Sequence, residues 1–161
     1  MEEENTQVNE SKSGVQMPPS RGVPSKSSIQ FEYDKLPLPV TARWDYEDVL
    51  KIIFPPKFQN AQYDLAKKVI LLVKEKGAID GDALGDWATK NNIPNSTLRN
   101  LVIPKLIRVG MLTRERQNPS GQTNQDKKHR MILKISTKFG EAFQHIGREW
   151  NGIVESWKLK K

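Results

Sequence analysis

The sequence predicts a mainly α fold with a small β-hairpin, set behind a tail that does not pack. Three features lead to this reading. Apolar residues recur at helical spacing between Trp44 and Val109, punctuated by Pro and Gly. Two alternating segments, Met111 to Gln117 and His129 to Ile135, flank a polar stretch rich in turn formers. A last apolar pattern, from Phe139 to Trp157, repeats at spacings of 4, 3, 4, 3 and 4.

The tail comes first in the chain. Residues 1–30 are rich in Ser, Gly, Pro, Asn and Glu and hold almost no large apolar side chain. Such a segment buries too little surface to offset its chain entropy, so disorder is expected there. Leu36-Pro37-Leu38-Pro39 reads as extended, polyproline-like chain, either a linker lying on the domain or a ligand for a protein partner's groove. The division is therefore a tail and linker over 1–40 and a folded domain over 41–161. A hydrophobic share of 36% in 161 residues agrees with one domain plus a tail.

The elements follow in order. Trp44 to Phe54 is a short helix, with Asp45, Glu47 and Asp48 suited to its N-terminal end and Pro55-Pro56 as its stop. Gln62 to Lys76 is a second, with Leu65, Val69, Leu72 and Val73 as its stripe and Gly77 at a left-handed C-cap. Asp80 caps a third, Asp82 to Asn91, whose inner face is Leu84, Trp87 and Ala88. After a turn at Ile93-Pro94-Asn95-Ser96, a fourth runs from Thr97 to Val109 and ends at Gly110. Pro104 lies inside it. Proline lacks the N–H and clashes with the carbonyl of Asn100, at about 3 kcal/mol unless the helix kinks. A kink or a split helix is expected. Met131, Leu133 and Ile135 share one face of the hairpin. Ser136 or Thr137 then caps a last helix reaching toward Trp157.

The net charge of +7 is concentrated. Residues 94–138 hold ten basic residues against Glu115 and Asp126, a net of +8, while the remainder of the chain nearly balances. A cluster of this kind attracts a polyanion, because neutralised phosphates release their condensed counterions.

The order helix, helix, turn, helix, hairpin resembles the winged helix-turn-helix domains of the MarR and related archaeal and bacterial transcription regulators. The resemblance covers Gln62 to Phe143. It rests on Gly77-Ala78-Ile79 before the second motif helix, on Leu84 with Trp87-Ala88 inside it, and on Ile93 with Ser96-Thr97-Leu98 opening the next. Val102, Leu106 and Gly110-Met111-Leu112 close that helix, and Thr137-Lys138-Phe139-Gly140-Glu141 follows the hairpin. The resemblance implies a recognition helix in the major groove of double-stranded DNA and a wing along the backbone or minor groove.

On a helical wheel Leu98, Val102, Leu106 and Val109 face the core. Ser96, Thr97, Asn100, Pro104 and Arg108 fall opposite, and Arg99 and Lys105 flank them. Thr97 and Asn100 are candidate base or phosphate contacts, since Asn pairs with adenine in a bidentate way. Ser96 and Thr97 serve equally well as helix caps. Arg108, near the C-terminal end, suits a phosphate. Arg114, Arg116, Lys127, Lys128, His129 and Arg130 border the hairpin loop and form the expected wing contacts.

Other functions find little support. Without cysteine there is no disulfide, thiolate metal site or cysteine nucleophile. His129 and His145 share no metal-ligand spacing, and no Gly-rich phosphate loop or Ser/His/Asp order is present. Asp80-Gly81-Asp82 with Asp86 lacks the further carboxylates of a calcium loop and is explained as acid at a helix start. Neither an enzyme nor a cofactor is expected. No apolar run approaches the ~20 residues of a membrane span, and the acidic N-terminus is not a secretory signal. A cytoplasmic, nucleoid-associated location is expected. Two rivals stay open: a protein-interaction winged helix within a transcription or replication assembly, and a binder of single strands or RNA that uses its tryptophans.

Phe139, Phe143, Ile146, Trp150, Ile153 and Trp157 form a heptad seam. A homodimer joined through this helix covers it. The competing arrangement places Trp44, Tyr46, Leu50 and Phe54 of the first helix over the same seam.

Overall fold

The computed structural model describes Ile29, residues 31–116 and residues 131–160. The first helix, α1 (Tyr46–Ile53), starts at a reciprocal cap. The Asp45 carboxylate accepts the N–H groups of Glu47 at 2.8 Å and Asp48 at 3.0 Å. Asp48 in turn accepts the N–H of Asp45 at 3.3 Å. Two of the donors that a helix start leaves unpaired are satisfied this way. Ahead of α1, Leu36, Pro37 and Leu38 are half-buried, and the Trp44 indole donates to the Pro39 carbonyl at 3.0 Å.

α2 (Pro56–Lys76) begins six residues before the sequence pattern does. Pro56 occupies the first turn, where a missing N–H leaves no bond unmade. Gln59, at φ −135° and ψ 41°, then bends the helix, so the regular stripe emerges only after it. Leu65, Ala66, Val69, Leu72 and Val73 are buried. Gly77 ends α2 with φ +69°, as its position predicts.

A strand the sequence did not announce follows, β1 (Ala78–Asp80). Asp80 then caps α3 (Gly81–Lys90), its carboxylate accepting the N–H of Ala83 at 2.8 Å. Leu84 and Ala88 are buried and Trp87 packs half-buried on the core. The next helical run, residues 95–108, is split as Pro104 requires. It comprises α4 (Asn95–Thr97), a π-turn (Leu98–Val102) and α5 (Ile103–Arg108). Leu98, Val102, Ile103 and Leu106 point inward.

The hairpin strands are β2 (Leu112–Arg116) and β3 (Met131–Ile135). They join β1 in an antiparallel sheet of order β1-β3-β2, with Ile79 opposite Leu133 and Leu112 opposite Ile135. Leu133 is buried, Met131 half-buried and Ile135 exposed, so the shared face empties toward both ends of the strand. Three helices, a turn and a three-stranded sheet in this order make a winged helix-turn-helix.

The last helix, α6 (Lys138–Leu159), opens at Thr137. Phe139 packs on the core, but α6 has no buried residue. Its seam stays in water: Phe143 is 42% exposed, Ile146 62%, Trp150 57%, Ile153 43% and Trp157 57%. Leu50 and Phe54 of the α1 segment, two residues of the competing cover, are sunk in the core at 0%.

Gly110 joins the parts. Its φ is +86°, and a Cβ there would lie 2.9 Å from the Phe139 nitrogen. The Gly110 carbonyl accepts the Phe139 N–H at 3.1 Å, and the Met111 carbonyl accepts that of Ser136 at 2.9 Å. Gly110→Ala should therefore destabilise by about 1–3 kcal/mol, from a strained backbone and a lost close approach. Urea unfolding of the two proteins measures it, and an unchanged midpoint would contradict this account of the junction.

Candidate nucleic-acid interface

The turn between α3 and the 95–108 helix is built from backbone bonds. Asn92 takes a positive φ of 53°, a conformation asparagine tolerates. The Ile93 N–H reaches the Ala88 carbonyl at 2.9 Å, and the Asn91 side chain reaches the Trp87 carbonyl at 2.8 Å. This turn presents Asn95, Ser96, Arg99, Asn100 and Arg108 to solvent, with Thr97 half-buried. Neither Ser96 nor Thr97 is the cap residue, since Pro94 stands at that position. Their hydroxyls are thus not used as N-caps of the run.

Arg99 is exposed but engaged. Its guanidinium donates to the Gly81 carbonyl at 2.9 Å, bridging the 95–108 helix to the start of α3. Gly85 leaves room for it, since a Cβ at that position would sit 3.2 Å from the guanidinium nitrogen. One face of the guanidinium fork is therefore committed to the protein.

Lys105 corrects the sequence reading. Expected on the flank of the DNA-facing side, it is 2% exposed and cannot reach a phosphate from there. Its ammonium donates to Gln59 Oε1 at 3.4 Å and lies 4.7 Å from the centroid of the Phe54 ring. Burial, and secondly the Arg108 charge, push its pKa down to about 8. Gln59 is 46 residues distant in sequence, so no local pattern announces the receptor.

On the hairpin, register places Arg114 opposite Leu133 and Arg116 opposite Met131. Leu112, Arg114 and Arg116 alternate onto one side of the sheet. That side is apolar at the base and cationic at the far end. The Arg114 side chain also contacts the Met131 sulfur at 2.7 Å. Glu115 is tied to Lys134 at 2.6 Å, which leaves the acid neutralised rather than facing the arginines. Lys127, Lys128, His129 and Arg130, the other expected wing contacts, lie outside the described residues.

Among the described residues no group of acidic or histidine side chains could hold a metal, and no helix is long and apolar enough to cross a membrane. No protein-family model matches the sequence, and no curated protein sequence matches it. A crystal structure of NadR in complex with 4-hydroxyphenylacetate aligns over 75% of this chain and 84% of its own, with 18% identity and a TM-score of 0.32. Element order and strand register define the winged-helix fold.

The buried lysine has a consequence for stability. Its folded pKa, about 8, lies below the ordinary lysine value of 10.5. Between those values the unfolded chain holds the proton and the folded chain does not, so stability rises with pH across that window and is flat below it. Relative to Lys105→Met, the wild type should gain on the order of 2–3 kcal/mol from pH 8 to 10.5. Parallel unfolding curves at several pH values give the difference, in which other titrating groups cancel. Curves that stay parallel would mean an ordinary lysine pKa.

Proposed function

We propose that the chain binds double-stranded DNA, with the 95–108 helix in the major groove and the β2–β3 wing on the backbone, as a transcriptional regulator or a nucleoid- or replication-associated factor. The carrying observation is the outward face. Asn95, Ser96, Asn100, Arg108, Arg114, Arg116 and Lys138 are exposed, and Lys134 neutralises Glu115, the one acidic residue of β2. Small polar groups over the first turns and arginines behind them suit base-edge contact flanked by phosphate contact. Nothing in this site suits catalysis, and the reading is of a binding protein that needs no cofactor.

The same reading includes a homodimer through α6, which supplies the cover its seam lacks. Charge permits it: α6 carries Lys138, Arg148 and Lys158 against Glu141, Glu149 and Glu155, so two copies do not repel. A cleft of about 560 Å³ continues from Tyr46, Ile70 and Met111 to Phe139 and Gln144 on the first turns of α6, extending the unpacked surface toward the body. A two-fold pair would offer two recognition helices to successive turns of a duplex.

Duplex affinity measured by fluorescence anisotropy should fall linearly with salt on logarithmic axes, at about 0.9 per phosphate contact. Arg114→Ala with Arg116→Ala should weaken all sequences alike and flatten that slope by roughly two. Affinity indifferent to salt, or stronger for single strands or RNA than for duplex, would overturn the reading. Sedimentation equilibrium at micromolar concentration should return twice the chain mass. Trp150→Ala with Trp157→Ala should shift it toward the monomer. A monomer in the wild type ends the dimer proposal.

A further inference from the structure

A protein interior is an unfavourable place for a cation. The groups that receive the Lys105 ammonium, Gln59 Oε1 and the Phe54 ring, carry no formal charge. Neither offsets desolvation as a carboxylate would. A methionine of similar length would fill the same space without that penalty. Where a residue breaks a packing rule with no local gain, the constraint it serves is to be sought in function.

What a lysine supplies here and a methionine does not is direction. The 95–108 helix is not one rigid ladder. Pro104 donates no hydrogen bond, and the π-turn Leu98–Val102 separates α4 from α5. The backbone runs on in helical conformation, with the Ile103 N–H on the Leu98 carbonyl, but it lacks the Pro104 donor, so side-chain contacts share in setting the rotation of α5. Ile103 and Leu106 anchor it by apolar contact, which is non-directional. The bond to Gln59 and the placement over the Phe54 ring are directional. The receptor is fixed in its turn. Gln59 sits at the bend of α2, is 8% exposed, and its N–H is held by the Pro55 carbonyl at 2.8 Å. Arg108 stands three residues beyond Lys105, at the exposed end of the same short helix, near enough for its charge to act on the buried ammonium. Any turn of α5 that withdrew Lys105 from Gln59 would swing Arg108 with it.

We propose that Lys105 is a positioning residue of the DNA interface, which through Gln59 and Phe54 sets the rotation of α5 and so aims Arg108 at the phosphate backbone. The inference rests on the DNA-binding reading and adds to it a residue that never touches DNA.

The test is a double-mutant cycle in duplex affinity, with urea unfolding alongside, on wild type, Arg108→Ala, Lys105→Met and the pair. Arg108→Ala should lower affinity and flatten the salt slope by about one, the mark of a phosphate contact. Lys105→Met should stay folded at neutral pH, yet bind roughly tenfold more weakly, the scale of coupling within one network. Adding Arg108→Ala to it should cost nothing further, because the arginine is already misdirected. A merely structural lysine would not produce that non-additivity. Undiminished affinity in Lys105→Met, or losses that multiply in the pair, overturns the proposal. Should Lys105→Met not fold, Lys105→Met with Gln59→Met removes both buried polar partners together and is read the same way. Failure of both to fold makes the lysine a folding residue and also overturns it. A wild type that does not bind duplex removes the DNA reading itself, and this inference with it. Duplex binding with an intact Arg108 effect leaves Lys105 alone to be judged.

Discussion

Ala66, Val69 and Val73 have no exposed surface, and with Leu65 and Leu72 they give α2 an apolar face wider than any one neighbour can cover. Four elements share the task. α1 brings Leu50 and Ile53, the π-turn Leu98 and Val102, β1 Ile79 and β3 Leu133, and each packs against α2. The sheet and the helix-turn-helix therefore keep a fixed relation because both press on the same helix. Loss of a large group anywhere in that layer would loosen the hairpin and the 95–108 helix together. Cavities in such a layer typically cost about 2–5 kcal/mol, enough to matter against the stability of one small domain.

Away from α2 the structure thins quickly. The Gly110 and Met111 carbonyls fix where α6 begins, and Phe139 fixes its first turn. Beyond that the helix has no buried side chain to hold it. A 22-residue helix standing in water is marginal, and Gly140, Gly147 and Gly152 weaken it by up to about 1 kcal/mol each. Contacts within the seam help a little: the Phe139 and Phe143 rings lie 4.7 Å apart, and Trp150 meets Trp157 edge-on at 6.1 Å. The physical demand on α6 is thus the same whether stated as helix stability or as exposed apolar surface. Packing along the seam meets both.

Much of the fold was legible because the decisive residues act locally. Pro104 breaks a helix wherever it stands within one; Gly77 and Gly110 permit a positive φ through their own lack of a side chain; Asp45 and Asp80 cap the turns that immediately follow them. The features missed depend on residues far apart. β1 is three residues long with one buried side chain, Ile79, and has meaning only opposite Leu133, 54 positions later. The early start of α2 hid behind Gln59, whose non-helical backbone breaks the 3.6-residue period. At the candidate interface, residue type located the basic surface, and the outward positions of Asn100, Arg108, Arg114 and Arg116 agree with a simple wheel and a strand alternation. Lys105 did not follow, since a lysine's default place is the surface and its receptors lie on α2 and at the end of α1.

That last discrepancy changes how the charge of this chain is to be weighed. Ten basic residues in one stretch read from composition as ten potential phosphate contacts. The fold assigns them different work. Lys105 lies inside, Arg99 holds the 95–108 helix to α3, and Lys134 neutralises Glu115. Arg108, Arg114, Arg116 and Lys138, like Arg99, are exposed among the described residues. Counterion release depends on phosphates met, not on charge carried, so on the proposed DNA-binding reading a net charge of +8 would overstate the electrostatic part of binding. The charges engaged within the protein serve another end. Lys105 and Arg99 tie the 95–108 helix to α1, α2 and α3, and on the proposed DNA-binding reading this holds Asn95, Ser96 and Asn100 in the orientation that base contact would need. On that reading, part of the cationic complement of this small domain would serve aim and the rest attraction.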